Sequence, residues 1–263
     1  MIIIKSNKNL STKLHYLVLA LLYILFGCKS DDDNNGSVAT TDYDISSVLS
    51  KFDDLDALSY SLSQDGSTVT FNTTNLPNHK SPYWNKENDL YEEYNGDNSS
   101  FNINKNIIST QTITITIPLN PMEATNKQAT PLGPIGIAIN GIVFFNQYAG
   151  PDNQPLTDEI NSFDQWAGHP TEKGQYHYHL EPTYLTDKFG NDAFLGLLAD
   201  GFPVYGPEEN GSTITNSDLD EYHGHVGVTA DFPDGIYHYH ITPTEDPYIN
   251  GNGYFGTPGN ITQ

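Results

Sequence analysis

The sequence predicts a mainly β protein: a single β-rich domain with long loops, sandwich-like in arrangement and containing an internal repeat. Three observations carry that reading. Apolar and polar residues alternate at period two in several short runs, as in half-buried strands. Gly, Pro, Asn and Asp recur at short intervals between those runs, as turns require. Few windows keep an apolar stripe at helical spacing for more than two turns, Asp192 to Leu198 being the weak candidate.

The N-terminal segment stands apart. Lys5, Lys8 and Lys13 precede an apolar run from Tyr16 to Phe26, and Gly27-Cys28 is followed by Lys29-Ser30-Asp31-Asp32-Asp33. The apolar run is too short for a bilayer core of about 30 Å, so residues 1–27 read as a signal peptide. Leu25-Phe26-Gly27-Cys28 resembles the lipobox of bacterial lipoproteins, and the acidic run after it resembles the surface-export tether of Bacteroidetes lipoproteins. The resemblance implies lipidation of Cys28 (palmitate among the acyl chains) and an extracytoplasmic protein anchored to the outer membrane or cell surface. Residues 28–62 are expected to form an acidic tether and a short helix, with Val48, Leu49, Phe52, Leu55 and Leu58 as its apolar positions. The folded domain is expected over 63–263.

Within that domain Val69 and Phe71 share one face of an alternating run, and Ile113, Ile115 and Ile117 mark a second. Ile135 to Phe145 reads as two strands around Asn140-Gly141, a strong hairpin signal.

Composition narrows the function. The 263 residues hold 33 acids and 11 bases, a net charge of −22, and every base is Lys. Nucleic acid as a partner is excluded on charge. The lack of Arg removes the bidentate fork that recognises phosphate. A single Cys excludes an internal disulfide framework, thiolate zinc fingers and Cys-ligated iron–sulfur clusters.

The second half repeats itself. Gly168-His169 is followed by Gly174-Gln175-Tyr176-His177-Tyr178-His179, and Gly224-His225 by Gly235-Ile236-Tyr237-His238-Tyr239-His240. Both units then run on through an apolar residue to Pro-Thr. Nine His occur in the chain, and six occupy equivalent places in the two units. In an extended strand His177 and His179 face one way while Tyr176 and Tyr178 face the other. Two imidazoles about 7 Å apart along a strand are within reach of one ion after modest tilting. Side by side, the two strands would present four imidazoles, closed by His169 and His225. Neutral imidazoles suit copper, zinc, nickel or non-haem iron, and copper or zinc are the expected cofactors. Calcium is a further possibility, from Asp218, Asp220 and Glu221.

Between the copies lies Leu195-Gly-Leu-Leu-Ala-Asp200-Gly-Phe-Pro-Val-Tyr205-Gly-Pro. Asp200 is a candidate ligand, a candidate partner that orients an imidazole, or simply the start of a turn. Paired Tyr-His-Tyr-His segments around this run resemble the YHYH-domain proteins, as do Leu76-Pro77-Asn78-His79, Pro134 to Ile142 and Asp218 to Glu221. The resemblance adds His79 to the candidate set. It also implies Cys near positions where this chain has Trp166, Tyr222 and Gly253-Tyr254, so thiolates are not expected in the shared chemistry. His223 has no counterpart in the first unit and is expected at the surface.

The function expected is therefore an extracytoplasmic lipoprotein with a His-rich transition-metal site for capture, sensing or delivery. A metal-dependent enzyme, hydrolytic or oxidative, with Asp200 or Glu181 as acid/base is the second class. An adhesion or carbohydrate-binding module with a His/Tyr surface is the third. The expected partners are membrane lipid and a metal ion.

Overall fold

The computed structural model describes residues 43–52, 56–244 and 246–263. The expected signal peptide, Cys28 and the first part of the tether lie outside them. In chain order the strands are β1 (Leu58–Leu62), β2 (Thr68–Thr73), β3 (Ile113–Pro118), β4 (Glu123–Gln128), β5 (Pro134–Ala138), β6 (Val143–Phe145), β7 (Gly168–Pro170) and β8 (Tyr176–Tyr178). They continue as β9 (Phe194–Leu198), β10 (Pro203–Tyr205), β11 (Glu208–Glu209), β12 (Ser212–Thr213), β13 (Gly224–Gly227), β14 (Ile236–His240), β15 (Tyr254–Gly256) and β16 (Asn260–Thr262). The protein is mainly β, as its alternations predict. Val69, Phe71, Ile113, Ile115 and Ile117 are all buried, and Asn140-Gly141 turns β5 into β6.

Two expectations need correction. A 3-10 helix occupies Ser46–Phe52 and buries Val48, Leu49 and Phe52, but Leu58 then opens a strand that pairs with β2. Packed structure therefore begins well before Ser63; Leu55 lies outside the described residues. Asp192 to Leu198 is no helix. Phe194–Leu198 is a strand buried at every position, because an apolar run without a polar face suits a sheet interior better than a two-turn surface helix. Among the described residues the α-helix is Thr183–Phe189 instead.

Two larger sheets share the core. One is antiparallel, in the order β1-β2-β3-β16; the other has eight strands, in the order β13-β14-β10-β9-β5-β6-β8-β7. The second order reads as two equivalent halves meeting at β5 and β9. Those two strands pair antiparallel with Ile137 opposite Leu197. On one side β6 runs parallel to β8, which pairs antiparallel with the edge strand β7. On the other, β10 runs parallel to β14, which pairs antiparallel with the edge strand β13. The repeat seen in the sequence is thus a pseudo-twofold in space, and it includes the two central hairpins as well as the His motifs.

Gly196 shows how tightly the halves meet. A Cβ there would run into the Ile137 carbonyl and the Phe144 ring, neither of which has room to retreat. Gly196→Ala is expected to lower stability by about 1–3 kcal/mol, read as a shifted denaturant midpoint at unchanged slope. A midpoint equal to that of the parent would show that the seam is looser than described.

Candidate metal centres

The strand alternation separates the motif into two faces. Tyr176, Tyr178, Tyr237 and Tyr239 are all buried, and each hydroxyl is held by another side chain. Tyr176 Oη donates to Asp164, and Tyr237 Oη to Asp220, at 2.9 Å. Both carboxylates also accept backbone N–H groups from the turn that leads into a Gly-His: Trp166 and Gly168 for Asp164, Tyr222 and Gly224 for Asp220. The Asp–Tyr bond thereby sets the position of His169 and of His225.

On the other face the imidazoles gather in two groups, not one. His169, His177 and His179 meet Glu159, and His225, His238 and His240 meet Glu209, each set offering four donor atoms within 4.8 Å of one another. β8 and β14 are separated by four strands, so the two groups stand about 24 Å apart at a strand spacing of about 4.8 Å. The four-imidazole surface that side-by-side strands would give does not form, because the homologous strands lie on opposite sides of the seam.

Hydrogen bonds fix the tautomers. Nδ1 of His177 faces the Gln175 carbonyl at 3.1 Å and Nδ1 of His179 the Asn146 carbonyl at 2.6 Å. In the other half Nδ1 of His238 faces the Ile236 carbonyl and Nδ1 of His240 the Gly206 carbonyl. A carbonyl only accepts, so each Nδ1 carries the proton and each Nε2 presents a lone pair. Those lone pairs point at one another: His177 Nε2 lies 3.0 Å from His169 Nε2 and 3.1 Å from His179 Nε2. His238 Nε2 lies 3.1 Å from both His225 Nε2 and His240 Nε2. Glu159 Oε1 stands 3.1 Å from His169 Nε2, and Glu209 3.5–3.6 Å from His238 and His225. The fixed pairs, His177 with His179 and His238 with His240, are acceptors crowded face to face, which is repulsive, and a cation among them removes the repulsion.

Protons are poor candidates for that cation. Burial holds His179, His238 and His240 down to about 4 and His177 well below the ordinary imidazole value, with its imidazole neighbours pushing the same way. Each centre opens on a cleft, of about 460 Å³ at His177 and about 340 Å³ at His238.

Six sequence-predicted histidines therefore divide three and three. The other candidates lie elsewhere. His79 is buried on the Tyr face, its Nδ1 donating to the Lys80 carbonyl and its Nε2 accepting from Tyr178 Oη, which leaves no lone pair for a metal. Asp200 accepts from Tyr239 Oη, Gly256 N and Phe202 N, also on the Tyr face, so it neither ligates nor orients an imidazole. Glu181 accepts from Thr186 Oγ1 in the helix. Asp218 holds its own turn, and Asp220 is taken up by Tyr237; neither belongs to a metal-compatible group among the described residues. His223 is buried rather than at the surface and bonds Thr242 Oγ1. With the motif tyrosines enclosed, they offer no stacking surface for a sugar.

Glu159 and Glu209 were not legible. Glu159 sits on a 3-10 helix ten residues before His169, and Glu209 on a hairpin sixteen residues before His225. The two spacings differ, so the repeat does not mark them. Asn210-Gly211 signals the hairpin, but not that it folds over β14.

The pH dependence of the metal-free protein follows. Burial also holds His79 and His223 down to about 4, making six histidines that stay neutral in the folded chain while unfolded ones protonate below about 6.5. Burial pushes the carboxyls of Asp164 and Asp200 up to about 6, which opposes the histidines because the folded state then binds the extra protons. Six against two leaves the unfolded state with the larger uptake, so stability falls as pH drops from about 6.5 to about 4. Thermal melts in the presence of a chelator should show this as a steep loss over that window; a flat profile would contradict the neutral, buried imidazoles.

The chain matches the YHYH protein family over residues 114–217 and 208–252, stretches that contain both centres. No curated protein and no solved structure matches it. With more than half of its residues matched, and with both Tyr-His-Tyr-His strands carrying the same latch and the same triad of imidazoles, the chain belongs to the YHYH protein family.

Proposed function

We propose that the protein binds two transition-metal ions, one in each three-histidine, one-glutamate centre, and does so outside the cytoplasm as a lipid-anchored protein. The observation that carries the metal reading is the convergence of three Nε2 atoms and a carboxylate oxygen in each half, with the Nδ1 protons of the two Tyr-His-Tyr-His imidazoles tied back to carbonyls. That outer hydrogen bonding is what orients imidazole ligands in metal sites.

Geometry speaks to the ion. With metal–nitrogen bonds of about 2.0–2.1 Å, Nε2 atoms 3.0–3.1 Å apart subtend about 95° at the metal, whereas a tetrahedral ion would need about 3.4 Å between them. Angles near 90° favour a tetragonal or octahedral ion, copper(II) before zinc. Four protein ligands then leave positions free toward the clefts. The clefts favour, as a second reading, a metal-dependent enzyme that uses those free positions. The leader ending at Cys28 supports the lipid anchor.

Untagged protein loaded with copper(II) and freed of excess ion is expected to retain two ions per chain by elemental analysis. His177→Ala and His238→Ala should each remove one ion and leave the affinity of the other unchanged. Loss of both ions from either variant would mean a shared site, and retention of both would remove these histidines from the metal.

Cys28→Ser tests the anchor separately. The variant is expected to leave the detergent phase, since the lipoprotein depends on several acyl chains for firm attachment. Unchanged partition would refute lipidation.

A further inference from the structure

The two centres have the same ligands and equivalent strands, which makes each the natural comparison for the other. Cleft size does not set them apart in access, since the roomier cleft faces the more buried triad. The ligands themselves differ. At the first centre the His169 side chain is 5% exposed. Its Nδ1 donates to Ser162 Oγ at 2.8 Å, and Ser162 in turn donates to the Glu159 carbonyl, so a ligand imidazole and the segment carrying the ligand carboxylate are joined. Phe163 lies edge-on to the His169 ring at 4.7 Å, and Phe145 stacks on His177 at 3.9 Å.

The second centre lacks these restraints. The His225 side chain is 26% exposed, on an edge strand, and none of the hydrogen bonds described holds its Nδ1. Tyr205 replaces Phe145 and meets His238 edge-on at 5.3 Å instead of stacking. Two residues beyond the Gly-His histidine, the first centre has Thr171, whose Oγ1 accepts from Lys173 N and Gln175 N. The second has Gly227. A Cβ there would stand 3.1 Å from His238 Cε1 and 3.3 Å from Glu209 Oε1, with His225 Nε2 at 3.8 Å. A side chain there would press on two of the ligands, so glycine is required, and this centre goes without the hydroxyl anchor that Thr171 gives the first. Asp192, Glu208 and Asn210 line its cleft much as Asn104, Asn106 and Glu172 line the other, so the difference lies in how the ligands are held.

Metal exchange proceeds by stepwise detachment, so the ion leaves fastest where a ligand can swing out and another donor can come in. We infer that the centres have divided their roles: the one built on His225, His238, His240 and Glu209 is the exchanging centre, which hands its ion on or takes one up, and the one built on His169, His177, His179 and Glu159 retains its ion. This rests on the metal reading above and adds to it which centre faces the donor or acceptor of the metal.

The test uses protein loaded with copper(II), challenged with excess EDTA and followed by the loss of its visible absorption. Two phases of equal amplitude are expected, the faster at least about tenfold quicker, the scale that an orienting hydrogen bond contributes to metal binding. His238→Ala should abolish the fast phase and His177→Ala the slow one. Ser162→Ala, which frees His169 without touching a ligand, should quicken the slow phase by about tenfold and leave the fast one alone. Two ions leaving in one phase, or a fast phase that survives His238→Ala, would overturn the division while leaving the metal reading intact. Absence of bound copper would overturn both.

Discussion

An extended strand shows successive side chains to opposite sides, and everything distinctive in this protein depends on that constraint. Tyr-His-Tyr-His is its shortest full expression: one chain direction, two phenols committed to the core and two imidazoles committed to a cleft. The phenols are not passive filler. Tyr176 and Tyr237 each bond the aspartate that also collects the N–H groups of the turn before the neighbouring strand. Packing on one side therefore determines where a third imidazole arrives on the other. Core and centre are two faces of a single arrangement.

The seam between β5 and β9 gives that arrangement twice. Equivalent residues oppose one another there, so the halves are related without a long linker and without a shared centre. Asn140 and Asp200 occupy equivalent turns and show how the copies have diverged. Asn140 donates to Tyr178 Oη, whereas Asp200 accepts from Tyr239 Oη and from two backbone N–H groups. The polarity of the bond is reversed, yet the tyrosine it holds is in the same place.

Much of this was legible in the chain. Alternation located β2, β3 and the hairpin at Asn140-Gly141, and the repeat located six histidines and the side of the strand they share. What escaped was set by long-range order. Whether β8 and β14 are neighbours depends on strand order, which no local spacing records, so the repeat alone leaves one shared site and two separate sites equally open. Glu159 and Glu209 come from segments whose lengths differ between the copies. For Asp200 the sequence leaves a role at the imidazoles and the start of a turn equally open; it opens the turn and points with the tyrosines. His223 stands at positive φ in the turn before Gly224, where Ala167 stands in the other half; its burial follows from the turn and could not be read from its isolation in the repeat.

β7 and β13 are the outermost strands of their sheet, and each carries one histidine of its centre while the other two lie on, or one residue past, the strand beside it. An ion at either centre is thus a cross-link between an edge strand and the strand beside it, acting across the ladder rather than along it. Sheet margins are where polypeptides are most prone to peel away and to recruit foreign strands. With an ion at each proposed centre the margins on both sides would be riveted, and the filled protein would be the one best protected against self-association.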